Sequence, residues 1–360
     1  MSTFSSVEVI GGGLIGTSIA LKLAQNGAKV RVLDTDPSHE RVANSLLGSS
    51  LLGPGSPVEA VIAATPVGAL PIVIQQALQM HNDATVIDVG SIKTKVVNEV
   101  YTLTENLSNQ DELLSRYIPT HPMAGREIAG PDGARSDLFE GRVWALAPHR
   151  RANANRITLT EAFIKEMGSV VHRIGPEEHD RQVAMTSHLP QLLASLLGSE
   201  LEAPLELAGQ GLRDMTRLAH SDAQMWASII EGNRRELLPL LDGIIKSINL
   251  LKDKNFNQES VLSLMKRGAE GASQVPGKHG GVPRNYGALG VVISDRAGQL
   301  AALFNHCAEG EINIEDLRIE HSPGQETGLV TLFVQPGDLS TLNNHLSTLG
   351  WHSTILSKGI

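Results

Sequence analysis

The chain has a single cysteine, Cys307, among 360 residues, so no disulfide can form within it. That fits a reducing compartment, and Cys307 itself is expected as a small buried residue on a helix. Aromatic residues are scarce at 3%, which leaves the cores to be built mainly from Leu, Ile, Val and Ala. No apolar run approaches the ~18 residues of a membrane-spanning helix, so no membrane partner is expected. Long runs of one charge sign are also missing. With a formal charge of −9, the chain has no bulk attraction for nucleic acid or an anionic lipid surface. A small anionic ligand needs only local cations and remains allowed. The first residues, Met1-Ser-Thr-Phe-Ser-Ser, lack the basic and apolar pattern of a secretory signal, and the expected location is cytoplasmic.

What is present falls into three textures, consistent with two or three domains at ~100–200 residues each. Over 7–174, short apolar runs alternate with helix-length stretches. The strand candidates are 7–10, 29–33, 60–64, 85–89, 117–119, 142–146 and 170–174. Nearly continuous apolar runs of this kind suit parallel strands covered on both faces, joined by right-handed helical crossovers. Over 176–270, Val183, Leu189, Leu192, Leu193, Leu196 and Leu197 recur at helical spacing, and further periodicity predicts an all-helical domain. Gly268, Gly271, Pro276, Gly277, Gly280, Gly281 and Pro283 then give a linker composition, placed at 271–285. Over 286–360 the pattern predicts βαββαβ, a ferredoxin-like order: strand 288–294, helix 298–309, strand 312–320, a turn at 321–327, strand 328–334, helix 339–349 and strand 352–356.

Gly11-Gly12-Gly13-Leu14-Ile15-Gly16 gives G-x-G-x-x-G between a predicted strand and a predicted helix at 17–25. Gly11 permits the tight turn, Gly13 lets backbone approach a pyrophosphate, and Gly16 lets helix and strand pack closely. The helix N-terminus offers free N–H groups to the phosphates. Asp34 closes the second strand, where a carboxylate accepts hydrogen bonds from a ribose diol and repels a 2′-phosphate. Thr35 and Asp36 follow rather than an arginine. The expected fold of residues 1–175 is therefore a Rossmann-type doubly wound sheet, and the expected cofactor is NAD rather than NADP.

Three further clusters fall at the carboxyl ends of strands, where open α/β sheets gather ligands: Thr65-Pro66, the segment from Asp88 to Lys93, and the segment from His121 to Glu127. His121 is the candidate acid/base, because oxidation of an alcohol requires removal of the hydroxyl proton and imidazole titrates near working pH. Ser91 is placed to orient it. In the helical region, Arg213 and Arg217 share a helix face. Paired guanidinium groups suit a carboxylate-bearing substrate, although Asp214 could instead hold Arg217 in a solvated ion pair. His188 and Gln191 also share a face beside Pro190, either lining a site or forming a satisfied buried pair.

The segments GGGLIGTS, DVGSIKTKV, HPMAGREIAG, TSHLPQ and GLRDMTRLAHSDAQMW resemble the prephenate and arogenate dehydrogenase family in order and spacing from about Val7 to Leu251. The resemblance implies NAD-dependent oxidative decarboxylation of prephenate to 4-hydroxyphenylpyruvate. It implies His121 as proton acceptor, Ser91 positioning it and touching the nicotinamide side, and Arg217 binding a substrate carboxylate. It further implies that His188 and Glu127 line the pocket and that Trp226 helps close it, in a homodimer built through the helical domain. Gln191 stands where some members carry a second histidine, and Gln210 where a glycine is frequent. A neutral Gln191 offers no charge to an ammonium, which favours prephenate over arogenate; Glu127 could supply such a charge. A non-catalytic NAD and amino-acid sensor, or another hydroxyacid dehydrogenase, are the competing readings.

Residues 286–360 resemble an ACT domain, carried by Asp295-Arg-Ala-Gly298-Gln-Leu300 and by Ile312-Asn313-Ile314 opening the second strand. Gly298 lets backbone approach a ligand, and loop N–H groups there can hold a carboxylate. The resemblance implies L-tyrosine as effector, with Asp295, Gly298 and Asn313 at the regulatory site. A dimerisation module that binds nothing is the alternative.

Overall fold

The computed structural model describes residues 2–125, 130–275, 286–321 and 326–359. They form two units, Met1–Leu201 with Thr216–Ile245, and Glu202–Met215 with Lys246–Ile360.

The first unit carries β1 (Ser6–Ile10), α1 (Leu14–Gln25), β2 (Lys29–Leu33), α2 (Pro37–Leu47), β3 (Ala60–Ala63), α3 (Leu70–Met80), β4 (Thr85–Asp88), α4 (Thr94–Thr104), α5 (Gln110–Ser115), β5 (Tyr117–Pro122), β6 (Val143–Leu146), α6 (Ala154–Glu166) and β7 (Val170–Arg173). The seven strands make one sheet in the order β2-β1-β3-β4-β5-β6-β7. Strand order reverses between β1 and β3, which puts a topological switch point beside the glycine turn. Side-chain caps start several helices: Asp36 accepts from Ser38 N ahead of Pro37, and Asn153 accepts from Asn155 N.

The sheet is not wholly parallel. β5 runs antiparallel to β6, pairing His121 with Ala145 and Pro122 with Trp144, and extends to Pro122 rather than ending near Pro119. His121 therefore sits within a strand, paired with β6 beyond the point where the pairing with β4 ends at Pro119, and not in a free loop. The aliphatic cores are as the composition requires, with Ile19, Leu23, Ile62 and Ile87 fully buried. The few aromatics are nonetheless concentrated. Trp144 packs on Phe139 and Phe163 with ring centroids 5.0 and 5.7 Å apart, and Phe4 adds to Phe163 at 6.1 Å.

The helices that follow are α7 (Pro176–Val183), α8 (Leu189–Ser199), α9 (Gln210–Thr216), α10 (Ala223–Gly232), α11 (Arg234–Asp253) and α12 (Gln258–Ala272). Between α7 and α8 the chain makes a π-helical turn over Ala184–His188. Pro190 has no N–H to return to the carbonyl four residues earlier, and the widened turn accommodates that loss. Ala184, Leu189 and Leu237 form a small core between the π turn, α8 and α11, with Ile230 and Leu241 against it. Helix α12 runs through Gly268 and Gly271, residues whose type suggested linker. Asn257 caps it, and its Leu, Ala and Met residues outweigh two glycines. Residues 276–285 of the expected linker lie outside the described residues.

In the second unit, β8 (Gly287–Ser294), α13 (Gln299–Glu309), β9 (Asp316–His321), β10 (Thr327–Val334), α14 (Leu339–Thr348) and β11 (His352–Ser357) form an antiparallel sheet in the order β11-β8-β10-β9. Leu289, Val291, Leu303, Val330, Leu332 and Leu342 fill its core. Cys307 is buried on α13, and burial pushes its thiol up to about 11. Ile312, Asn313 and Ile314 precede β9 instead of opening it. Among the described residues, no helix is long and apolar enough to cross a membrane.

The least expected core member is Lys93, fully buried and ion-paired with an equally buried Asp88. Removing one partner of such a pair leaves an uncompensated charge, so Lys93→Met is expected to destabilise the protein by about 3–5 kcal/mol. A chemical denaturation midpoint shifted accordingly would bear this out; an unchanged midpoint would refute it.

Candidate active site

The glycine turn joins the C-terminal ends of β1 and β3. Gly11 has φ +114°, and a Cβ there would lie 2.4 Å from the carbonyl oxygen of Ala64, so only glycine fits. A Cβ on Gly16 would lie 1.9 Å from the Gly11 oxygen, so close packing of α1 on the turn also requires glycine. Gly13 faces open space and stands at the N-cap of α1, and Leu14 and Ile15 open the helix. Asp34 anchors the turn through Oδ2, which accepts from Gly12 N at 2.6 Å. Next to it, Thr65 Oγ1 is buried with no hydrogen-bond partner in the described structure, beside Pro66. An open glycine face, helix N–H groups, an anchored carboxylate and a buried hydroxyl lacking a partner fit a dinucleotide at the switch point.

A second set of contacts joins the next two strand ends. Asp88 Oδ1 accepts from Gly90 N at 2.9 Å and from Lys93 Nζ, and its Oδ2 accepts from the Tyr117 hydroxyl at 2.7 Å. Lys93 Nζ also donates to the carbonyl of Thr120 at 2.6 Å. The loop bearing Ser91 is thus clipped to the strand residue that precedes His121. Burial lowers the pKa of Lys93, opposed by the Asp88 charge, and burial raises Tyr117 well above its usual value. The close approach of α10 adds to the clip, since a Cβ on Gly232 would meet Ile92 at 2.3 Å.

His121 is half-buried, and its Nδ1 lies 3.0 Å from Nε2 of His179. The other nitrogen of His179, Nδ1, lies 2.9 Å from Asp180 Oδ1. Asp180 in turn accepts from the backbone N–H groups of Lys93 and Thr94 at 2.8 and 2.7 Å, at the start of α4. The orienting partner of His121 in the structure is therefore His179, whereas the sequence pointed to Ser91. Burial, then the neighbouring His179, Lys93 and His188, hold the His121 pKa well below the usual histidine value. Asp180 is held below its usual range because hydrogen bonds from His179, Thr94 and Lys93 outweigh the cost of burial.

His188 ends the π turn, buried at 1% exposure. Its Nδ1 is 3.0 Å from Asn233 Nδ2, which also donates to the Asp180 carbonyl at 2.8 Å. Burial lowers its pKa to about 4. Trp226 packs edge-on to His188 of the same chain, with centroids 6.1 Å apart. Gln191 uses its amide on structure: Nε2 donates to Leu218 O at 2.8 Å, and Oε1 accepts from Ser221 at 3.4 Å. That ties down the short 3-10 turn Arg217–His220, on which Arg217 is exposed. Arg213 is exposed on α9, whose last turn gives way to that 3-10 turn, so the two arginines do not continue one regular helix. Asp214 is bonded by Gln210 at 2.8 Å. Glu127 lies outside the described residues. Sequence reading placed Lys93 in a candidate cluster without giving it a role, and missed His179, Asp180 and Asn233.

The family described as prephenate dehydrogenase, nucleotide-binding domain, matches residues 19–173, and prephenate dehydrogenase, dimerization domain, matches residues 175–267. The chain is 28% identical to the probable prephenate dehydrogenase NovF of Streptomyces niveus, over 95% of this chain and 98% of that protein. It is 28% identical to a prephenate dehydrogenase of Bacillus subtilis, over 92% and 93%. It is 30% identical to a cyclohexadienyl dehydrogenase of Zymomonas mobilis, over 72% and 91%. A crystal structure of prephenate dehydrogenase from Aquifex aeolicus with hydroxyphenyl propionate and NAD+ superposes with a TM-score of 0.64 at 27% identity, covering 75% of this chain and 97% of that one.

The depressed pKa of His121 has a kinetic consequence. A base must be unprotonated to act, so a lowered value keeps it competent further into acid. The acid limb of kcat/KM is expected below ~6.5, the ordinary histidine value. A half-loss of kcat/KM at or above that pH would contradict the assignment.

Proposed function

The chain belongs to the prephenate dehydrogenase family, with NAD as its cofactor, and on that footing we propose that it oxidises and decarboxylates prephenate to 4-hydroxyphenylpyruvate. The observation that carries this reading is His121, fixed in a strand beside the clipped Ser91 loop and kept neutral by its surroundings. NAD+, when bound along Gly11–Gly16, Asp34 and Thr65, supplies the acceptor for the hydride leaving the substrate ring. His121 takes the proton of the ring hydroxyl, with Ser91 steadying that hydroxyl. Departure of the ring carboxylate as CO2 leaves an aromatic ring, and His121 returns its proton to the phenolate oxygen. Arg217 holds a substrate carboxylate, with Arg213, Glu127, Gln191, His188 and Trp226 around the rest of the molecule. Arogenate is the alternative substrate. The buried His188 is uncharged at neutral pH and does not match an ammonium, which favours prephenate.

The helical domain serves as the homodimer interface, supported by apolar residues exposed along α11 and α12, among them Leu238, Ile245, Ile248, Leu262 and Met265. The βαββαβ unit acts as an ACT-type sensor for L-tyrosine. Its support is the left-handed Gly298 (φ +88°), which caps α13 with open space around it. Asp295 in the same loop donates its N–H to Glu326 O at 2.8 Å, and Asn313 donates to Glu315 at 3.0 Å.

The deciding assay follows NADH formation with prephenate and with arogenate, each with and without L-tyrosine. Turnover of prephenate, reduced by tyrosine, is expected. No turnover of either substrate would overturn the reading, and turnover of arogenate alone would move the substrate. His121→Asn is expected to lower kcat by roughly 10²–10⁴-fold, as for loss of a general base; a near-normal kcat would remove His121 from that role.

A further inference from the structure

We propose that Asp180 fixes the two active-site histidines in opposite tautomers, which deepens the dehydrogenase reading above and rests on it: His121 protonated on Nδ1 with Nε2 a bare base, and His188 protonated on Nε2 as a donor. Both rings trace to Asp180. Its side chain leads through His179 to His121, and its backbone carbonyl leads through Asn233 to His188.

The assignment follows from which groups can only donate and which can only accept. An ionised carboxylate accepts and never donates. Asp180 already takes the N–H groups of Lys93 and Thr94, one on each oxygen. His179 Nδ1, 2.9 Å from Oδ1, must therefore carry a proton. A neutral imidazole holds only one proton, so with Nδ1 protonated the Nε2 of a neutral His179 is bare and accepts. Its partner at 3.0 Å, His121 Nδ1, must then be the donor. The single proton of a neutral His121 is thereby spent on Nδ1, and Nε2 keeps a free lone pair.

The second chain runs the other way. The atom of Asn233 that lies 2.8 Å from the Asp180 carbonyl must be the amide nitrogen, because a carbonyl cannot donate. That same nitrogen lies 3.0 Å from His188 Nδ1, which must therefore accept. A neutral His188 then carries its proton on Nε2. One histidine is presented to the substrate as an acceptor and the other as a donor, without any change in their charge.

The arrangement matters most once His121 has accepted the hydroxyl proton. The titratable groups facing its ring are the neutral His179 and His188 and the Lys93 ammonium, with the Asp180 carboxylate behind them. The new imidazolium donates from Nδ1 to His179, whose own Nδ1–H points to the Asp180 carboxylate. That carboxylate offsets a cation which the Lys93 ammonium would otherwise disfavour. Asp180 and His179 are thus positioning residues: neither touches the reacting atoms, and both set which atom of His121 does.

Ring tautomers are read directly from two-bond 15N–1H correlation spectra of the full-length protein labelled with 15N-histidine at pH 8, without substrate. His121→Asn and His188→Asn identify the signals. The expected wild-type spectrum shows His121 with Nδ1–H and His188 with Nε2–H. Asn233→Ala is expected to release His188 into a mixture of tautomers and leave His121 unchanged. Asp180→Asn is expected to release His121, with kcat lowered roughly 10²–10⁴-fold and the NAD+ dissociation constant within about twofold of wild type. A wild-type His121 protonated on Nε2, or an Asp180→Asn protein with unchanged tautomers and unchanged kcat, overturns the proposal. If Asp180→Asn fails to fold, the wild-type spectrum still decides. The spectrum needs no turnover, so the expected tautomers together with no activity on prephenate or arogenate would refute the substrate reading and leave the tautomers standing.

Discussion

A carboxylate removed from water has to be met by donors, and Asp180 is met from three directions. With 3% of its surface exposed, it accepts from the N–H groups of Lys93 and Thr94, the N-cap and first residue of α4, and from His179 on its own helix. Those N–H groups have no partner within α4, so Asp180 answers the needs of a helix terminus and of its own charge together. The same contact holds α7 against the loop that follows β4. Packing of the helical layer on the sheet and orientation of His121 are in this sense one event.

The Lys93–Asp88 pair does comparable work one strand away. Buried ion pairs contribute little net stability compared with apolar replacements, so its value here lies in geometry. Asp88 gathers Gly90, Lys93 and Tyr117, while Lys93 reaches across to Thr120. The loop bearing Ser91 and the strand bearing His121 are thereby held as one body. The burial that makes these pairs costly also keeps His121 and His188 neutral, the state in which each can serve as a single-purpose acceptor or donor. A site meant to move one proton gains from having every neighbouring proton committed.

What the sequence disclosed follows the range of the interactions involved. The glycine turn, the strand before it, the helix after it and Asp34 are local, and each was legible from a few adjacent residues. So was the βαββαβ order, because its strands and helices carry their own periodicity. His121 could be singled out by chemistry and position, but not its partners: His179 lies 58 residues away, and Asp180 lies 87 residues from Lys93. The antiparallel β5–β6 pair escaped for the same reason, since the apolar runs that mark strands carry no sign of direction. Gln191 was open to two readings, lining a site or sitting in a satisfied buried pair, and the structure commits its amide to the turn at Leu218 and Ser221. Gly268 and Gly271 signalled linker by type, yet a good cap and strong helix formers carry α12 through them.

The central claim is atomic: the substrate hydroxyl meets Nε2 of His121. A crystal structure of the protein with NAD+ and 4-hydroxyphenylpyruvate tests it directly, because the product's phenolic oxygen marks where the reacting hydroxyl lies. The account requires that oxygen within about 2.6–3.2 Å of Nε2, with Nδ1 still bonded to His179. A phenolic oxygen held by another residue, or a His121 ring turned so that Nδ1 faces the ligand, would contradict it.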